Sequence, residues 1–426
     1  MITLAALITI FKAEVAGVVL FAYIIGLYLL VFDDLISASL PFLLLCTFSL
    51  KCYDSFDTFM DLLWLSPPVI FAIIFHFVIY RKKLTAGENF MGSCAVALAV
   101  TLGGLFSISP SDYLRPISLY YVFALGFGML IGYLAIRSSL EGRPIEESSK
   151  RFASFMYLWG VFATFMIFQL LAENLSEISA SGTLPYIQWS NNISTVIMLA
   201  LPFPFYFALK QPIHLISGYL MYAALLLASS RGGMLFGTVE IIIITIYVLF
   251  APKRRLTGAV ISAVSLGALL VLYLNLGGIY ELLQIEELIK EGGLVASGES
   301  RLTLLQRSIE DFKSNFWFGK GLGYQGNTDA YEPKKGALYF YHMMIPQIIG
   351  SMGICGVVGY LYQFVLRVRT IMRRVNAYNL CLFISYLGLF MMSQVNPGEF
   401  CPLPYGFVAV ALFAILERQP SSEAHL

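Results

Sequence analysis

Thirteen stretches of the chain are apolar over about the length that a membrane-spanning helix needs, roughly 20 residues. The predicted segments are 12–32, 36–51, 62–80, 90–108, 117–136, 152–171, 193–209, 213–229, 233–251, 256–274, 339–366, 379–394 and 402–417. Residues 1–32 form either one long tilted helix or a short pair. We therefore expect an all-α polytopic membrane protein of about 12 to 14 spans, with 1–426 as a single integral membrane domain.

The composition excludes an ordinary soluble enzyme. Of the 426 residues, 58% are hydrophobic and 12% are charged, against roughly 25% charged residues in a soluble domain. The net charge of +1 and the evenly spread basic residues indicate no nucleic-acid partner. Six cysteines without a CxxC pair predict neither disulfides nor a metal cluster. The apolar start MITLAALITIF lacks a basic region before it, so we interpret it as a retained membrane segment.

Basic residues recur in every second predicted loop from residue 81 onward, which sets the orientation. They are Arg81, Lys82 and Lys83, then Arg137, Arg143, Lys150 and Arg151, then Lys210, then Lys253, Arg254 and Arg255, and finally Arg367, Arg369, Arg373 and Arg374. The positive-inside rule places these loops and the C-terminal tail in the cytoplasm. The loops 109–116, 172–192, 230–232, 275–338 and 395–401 then lie outside. Asp33, Asp34 and Lys51 give little guidance for the chain before residue 81.

One predicted outer loop, 275–338, has 64 positions, whereas most links are short. Its stretch ESRLTLLQRSIEDFKSNF places apolar residues at three- and four-residue steps, namely Leu302, Leu305, Ile309, Phe312 and Phe316. This spacing predicts an amphipathic helix that packs on the bundle or lies in the membrane interface. The glycine-rich FGKGLGYQGN that follows predicts a turn with close backbone approach.

Arg231 in ASSRGGMLFG is the first candidate for chemistry. It lies between two apolar segments at the predicted outer side, and its planar donors suit a phosphate. Most arginines at helix ends only extend their charge to the interface. Here the outer face is poor in basic residues, and the following Gly-Gly exposes backbone N–H groups where an anion can bind.

Arg301 and His342 are the next candidates. Arg301 lies on the predicted loop helix, where it can point at the bundle, whereas Arg307 is expected to be solvated or paired with Glu310 or Asp311. His342 follows the long loop directly and can act as a general base near neutral pH. It can equally be one aromatic residue of the interface, beside Tyr341.

Three motifs in this order resemble the O-antigen ligase and lipid-linked polysaccharide polymerase family. They are SSRGG, the loop stretch ESRLTLLQRSIEDFKSNFWFGKGLGY, and HMMIPQIIGSMGICGVVGYL. The resemblance covers about residues 215–366 and implies a helical bundle of the GT-C type, with one long extracytoplasmic loop. It implies transfer of a glycan from a polyprenyl-diphosphate carrier to an acceptor sugar at the outer face of the bacterial inner membrane, with no metal or other cofactor.

The resemblance also assigns roles. By position, Arg231 and Arg301 match arginines that bind the diphosphate, and His342 matches the histidine that activates the acceptor. Arg307, Lys320 and Glu299 are further candidates to support this site. The family histidine is often followed by Asn, and Met343 stands here instead.

Several functions remain open. A polymerase of O-antigen, capsule or exopolysaccharide repeat units is favoured over a ligase that joins the polysaccharide to a lipid A core, and a chain-length regulator and a flippase are candidate partners. A transporter usually shows charged groups at the membrane midplane, whereas His76 is nearly the only ionisable group that we predict deep in a span. A purely structural membrane protein is the last alternative.

Overall fold

The computed structural model describes most of the chain. The described residues are 1–52, 66–107, 119, 121–181, 187, 189–228, 230–250, 255–275, 301–322, 341–374, 376–396, 398–400 and 402–420. They are helical almost throughout, and none of them belongs to a β-strand. Glu299 lies outside the described residues, as do the parts of the long loop at 276–300 and 323–340.

Within the described ranges, seventeen α-helices follow one another in chain order. They are α1 (Ile2–Ile10), α2 (Glu14–Val31), α3 (Ser39–Cys52), α4 (Ser66–Ile79), α5 (Phe90–Leu105), α6 (Met129–Ser139), α7 (Ile145–Glu173), α8 (Leu175–Ser181), α9 (Ser190–Ala200), α10 (Pro202–Ala208), α11 (His214–Leu227), α12 (Arg231–Phe250), α13 (Arg255–Asn275), α14 (Arg301–Ser314), α15 (Met344–Met372), α16 (Ala377–Ser393) and α17 (Phe407–Leu416). Short 3-10 turns lie at Leu35–Ala38 and Gly398–Phe400, and π-helical stretches at Val122–Gly128 and Pro402–Gly406 precede α6 and α17.

The apolar segments predicted from the sequence are confirmed as helices. Among the described residues, six helices are long and apolar enough to cross a membrane, and seven shorter apolar helices accompany them. Each predicted segment overlaps one of these thirteen helices. The chain is thus an all-α polytopic membrane protein, and α1 is an additional short helix before the first of them.

The helices pack through small residues and expose large ones to lipid. Where α7 meets α9, a Cβ on Gly160 would lie 2.6 Å from Cβ of Ala200, so only glycine allows this approach. Side chains such as Leu256 and Val264 of α13 are largely exposed. Because lipid tails are as apolar as leucine, close backbone packing stabilises such a bundle more than apolar burial does.

Ion pairs fasten one end of the bundle, which we call the basic face and define by Lys82, Arg143, Arg151 and Arg374. Asp34 accepts from Arg143 and Arg151, each at 2.9 Å, although it is almost fully buried. Asp33 and Asp34 follow α2, so these pairs place the end of α2 on the same face as the loop after α6. The charges near residue 33, uninformative in the sequence, thus fix the side of the N-terminal helices.

The C-terminal end of α17 lies on the basic face too. Glu417 accepts hydrogen bonds from the amide of Asn89 at 2.7 Å and from the hydroxyl of Tyr133 at 2.6 Å. This carboxylate therefore joins three chain segments that are far apart in sequence.

The opposite end of the bundle, where α14 lies, is called the loop-helix face. Lys12 after α1 pairs with Glu173 at the end of α7, 3.3 Å apart. The end of α5 is also here, because Asn315 just after α14 donates to the carbonyl of Phe106 at 3.1 Å.

Candidate active site at the loop-helix face

The long helix α15 is broken at Gly353, which has φ 59° and ψ −152°. In an unbroken helix the amides of Ile354 and Cys355 would donate to carbonyls four residues earlier. They donate instead to the carbonyls of Phe316 and Trp317, at 2.9 and 3.1 Å. The loop thus accepts the two bonds that the break releases.

The two carbonyls released by the break are satisfied in the same way. Gly350 accepts from the amide of Lys320 and Ser351 from that of Gly321, both at 2.9 Å. We call residues 316–321 the anchor segment. Since an unpaired backbone group is costly in lipid, the break and the anchor segment stabilise each other: four bonds between segments replace two bonds within the helix.

Glycines in the anchor segment permit this approach, as the sequence predicted. Gly319 has φ +66°, and a Cβ there would lie 2.6 Å from the amide nitrogen of Met352. Gly321 has φ +95° and meets Ser107 in the same way. Gly319 therefore fits against α15, and Gly321 fits against the residue Ser107 after α5, because each lacks a side chain.

The face of the loop helix α14 that contacts the bundle is not its apolar stripe. Leu304, Ser308 and Asp311 are buried, whereas Leu302 and Ile309 of the predicted apolar face are 56% and 41% exposed. The protein-facing side of α14 therefore contains polar residues. Asp311 is satisfied by Tyr341 and Ser308 by the carbonyl of Leu305 in α14 itself, and the apolar stripe is left for the surrounding lipid.

Tyr341 connects α14 with the start of α15. Its hydroxyl donates to Oδ2 of Asp311 at 2.6 Å, and its amide donates to Oε1 of Gln347 at 3.0 Å. Its ring packs so closely on Gly350 that a Cβ there would lie 2.7 Å from Cζ. Burial raises the pKa of Asp311, while the bond from Tyr341 and the charges of Lys320 and Arg307 lower it.

His342 lies next to this contact and has φ +54°, a left-handed conformation that a residue with a Cβ seldom adopts. Its side chain is exposed. The predicted general base therefore stands at the surface of the loop-helix face, on a strained backbone immediately before α15.

Arg231 begins α12, as predicted, and its side chain is exposed. The hydroxyl of Ser230 accepts from the amide of Gly233 at 3.2 Å and donates to Oδ1 of Asn191 at 2.7 Å. This cap connects the start of α12 to α9. A Cβ on Gly232 would lie 2.6 Å from Val395 just after α16, and one on Gly233 would lie 2.6 Å from Ser194 of α9, so the Gly-Gly after Arg231 serves close packing against both helices.

The structure brings together part of the predicted site. Arg301 is the first residue of α14, and α14 packs on α15, which follows His342. Arg307 and Lys320 are partly buried, and their charges act on Asp311. Arg231 belongs to the separate contact of α12 with α9 and α16. Convergence of Arg231 with Arg301 and His342 stays a prediction.

A buried ion pair inside the bundle was missed by the sequence analysis. Arg367 was predicted to lie in a cytoplasmic loop, but it lies within α15. It pairs with Glu399, which was predicted to lie in an outer loop. Tyr386 hydrogen-bonds to both, at 3.1 Å from Arg367 and 3.5 Å from Glu399. The pair borders an apolar groove of about 310 Å³ between α15 and α16. The Gly-Glu after Asn-Pro was the only sequence signal of a chain reversal there.

Glu240 is a second buried ionisable group that the sequence analysis missed. It lies in the middle of α12 and is 1% exposed, and its two oxygens have no hydrogen-bond partner among the described residues. The prediction that His76 is nearly the only ionisable group deep in a span is therefore wrong. The glutamate within the apolar stretch TVEIIII already indicated a buried ionisable group.

No cluster of three or more His, Cys, Asp or Glu side chains within the described ranges is arranged to hold a metal ion.

Residues 216–361 match the family model described as O-antigen ligase. The matched range contains Arg231, Arg301 and His342, together with the anchor segment and the break in α15. It confirms the resemblance that the motifs predicted. The match supports glycan transfer of the ligase or polymerase type, by a multi-pass enzyme of the bacterial inner membrane that acts on a lipid-linked glycan and an acceptor. No curated protein matches the chain.

Proposed function

We propose that the chain transfers a glycan from a polyprenyl-diphosphate carrier to an acceptor sugar at the loop-helix face. One observation carries this proposal: the loop helix that begins at Arg301 is fastened to the span that begins directly after His342. This attachment lies inside the range that matches the family model. It supports a site in which a cationic loop and a histidine act at one place.

We place the loop-helix face outside the cytoplasm. The opposite, basic face collects Lys82, Arg143, Arg151 and Arg374, and the positive-inside rule assigns such a face to the cytoplasm. The C-terminal end of α17 is then cytoplasmic as well.

In the proposed reaction, His342 is the general base and Arg231 and Arg301 bind the diphosphate. The neutral imidazole takes the proton of the acceptor hydroxyl, and the hydroxyl oxygen bonds to the anomeric carbon of the donor sugar. The bond from that carbon to the carrier phosphate breaks, and polyprenyl diphosphate leaves with the electron pair. Fixed guanidiniums stabilise the charge that grows on this leaving group, most strongly where water is excluded. The arginines then supply the positive charge that a metal would otherwise provide, while Arg307 and Lys320 support the loop.

Alanine variants test these roles. We expect Arg231→Ala, Arg301→Ala and His342→Ala each to lower transfer from a purified lipid-linked repeat unit at least about a hundredfold, with normal insertion into the membrane. Lys313→Ala is the matched control, because this exposed lysine lies in the last turn of the same loop helix. Full activity of Arg231→Ala would refute its role in binding the diphosphate.

Repeat-unit polymerisation is our first choice among the two transfer reactions, and ligation to a lipid A core is the alternative. A deletion strain distinguishes them by the gel pattern of its product. A single-repeat band indicates a lost polymerase, whereas loss of the entire ladder on lipid A indicates a lost ligase. Co-purification tests the proposed contacts with a chain-length regulator and a flippase.

Transport of a glycan or small solute is the alternative of another class. The buried Glu240 and the pair Arg367–Glu399 favour it more than the sequence did, since ionisable groups inside spans often serve solute pathways. Product formation by the purified protein in detergent, where no second compartment exists, would decide for transfer.

A further inference from the structure

We propose that Asp311 and Tyr341 are positioning residues for His342, through which the loop helix controls the orientation of the catalytic imidazole. This inference rests on the proposed function. It adds a connection between two parts of the site: the helix that begins at Arg301 also determines where the general base points.

The backbone of His342 needs external support. A residue with a Cβ at φ +54° is in a sparsely populated region, and such conformations persist where the surrounding structure holds them. The side chain of His342 is exposed, whereas the residue before it is held inside the protein. Tyr341 on one side is almost completely buried, with 1% exposure.

Tyr341 is held at three separate points. Asp311 of α14 accepts from its hydroxyl, Gln347 of α15 accepts from its amide, and Gly350 leaves room for its ring. Gln347 is itself buried, and its backbone carbonyl accepts from the hydroxyl of Ser351. Because one peptide unit joins Tyr341 to His342, fixing the first residue restricts the direction of the second.

One of these three contacts comes from the loop helix, through Asp311. The position of this helix therefore affects the position of the imidazole. Asp311 follows Arg301 by ten residues on one helix, about 15 Å along the axis at 1.5 Å per residue. A rigid helix of this length that shifts when a donor binds near Arg301 will move Asp311 and, through Tyr341, the backbone of His342. Binding of the diphosphate and activation of the acceptor are then coupled mechanically.

The hydroxyl of Tyr341 donates to Oδ2 of Asp311, so position 311 must offer an acceptor oxygen. Burial and the charge of Glu310 raise the pKa of Asp311, whereas the charges of Lys320 and Arg307 lower it. Asparagine keeps an oxygen at the same distance along the side chain. Leucine has nearly the same size but offers no acceptor.

The decisive experiment measures kcat and the donor KM separately in the full-length protein, with purified lipid-linked repeat unit. We expect Tyr341→Phe and Asp311→Leu each to lower kcat about ten- to a hundredfold, because small misplacements of a catalytic group have this effect, while the donor KM stays within about twofold of the original. Asp311→Asn should retain most of the turnover. Glu310→Leu, at the adjacent exposed position, is the matched control and should turn over normally.

A double variant separates positioning from general destabilisation. Tyr341→Phe and Asp311→Leu remove the two ends of one hydrogen bond, so together they should lower kcat no further than either alone. Additive losses, a rise in donor KM without loss of kcat, or normal kcat in both single variants would overturn the inference. An active His342→Ala would instead refute the proposed function, so the two failures are distinguishable.

Discussion

Replacing Gly353 with alanine tests the interlock between α15 and the anchor segment most directly. A Cβ at this position would lie 2.6 Å from the carbonyl oxygen of Phe316 and 2.7 Å from the amide nitrogen of Phe318, all of it backbone that cannot turn aside. The variant has two ways to respond, and the less costly one sets the size of the effect.

The first response keeps the break. Alanine at φ 59° and ψ −152° then costs about 1–3 kcal/mol, because this region is accessible mainly to glycine, and the contacts at 2.6–2.7 Å add to this cost. The second response straightens α15. Four bonds to the anchor segment are lost and two helical bonds are gained, a net loss of about 2 kcal/mol at about 1 kcal/mol per bond. By either route, the docked state of the loop is destabilised by about 2 kcal/mol, or roughly thirtyfold in population.

The assay compares Gly353→Ala with Gly267→Ala. Gly267 lies in α13, and a Cβ there would meet no atom within 4 Å. It should be neutral or stabilise by up to about 1 kcal/mol. We expect Gly353→Ala to be inserted into the membrane, to be cut faster by protease in the long loop, and to lose transfer activity. Protection and activity equal to those of Gly267→Ala would refute the interlock.

Three further predictions follow from the other contacts. Glu399→Leu breaks the buried pair and should lower the free energy of unfolding by about 3–5 kcal/mol, measured as a lower Tm in detergent. Adding Arg367→Leu should recover most of this loss, because no uncompensated charge remains. The bond from Arg374 lowers the pKa of Glu88. The ion pair therefore stabilises the fold at neutral pH, and this stabilisation is lost as the pH falls through and below the range where a free glutamate titrates. The acid-induced decrease in Tm should therefore be smaller in Glu88→Gln, and an unchanged decrease would contradict this. Trp317 is 64% exposed beside the apolar stripe of α14, so lipids brominated near the headgroup should quench its fluorescence, measured as the difference from Trp317→Phe. Equal quenching in the two proteins would show that α14 stays clear of the bilayer.

The spans were predictable because their signal is local. Twenty consecutive apolar residues predict a helix without knowledge of its neighbours, and every predicted segment coincides with a helix. The helical loop stretch and the glycine-rich turn could be predicted for the same reason. The face that α14 presents to the bundle was not, because Asp311 is favourable inside only when a partner such as Tyr341 is there to bind it.

Contacts between distant parts of the chain limited the prediction of the site. The break at Gly353 is stable because residues about 35 positions earlier complete its backbone bonds, and GSMGICG alone does not show this. Arg367 and Glu399 were assigned to loops because they lie near span ends in the sequence. Their mutual attraction instead holds both inside the bundle. The motifs indicated Arg231, Arg301 and His342, but only the fold shows that the loop helix reaches the backbone beside His342.

The interlock also defines what can be exchanged between related proteins. Residues 316–321 complete the hydrogen bonding of 350–355, so the loop and the broken turn of α15 form one unit. A chimera made to alter sugar specificity by replacing the loop alone would join a foreign anchor segment to an unmatched break. Successful grafts will carry the loop together with the first half of the following span.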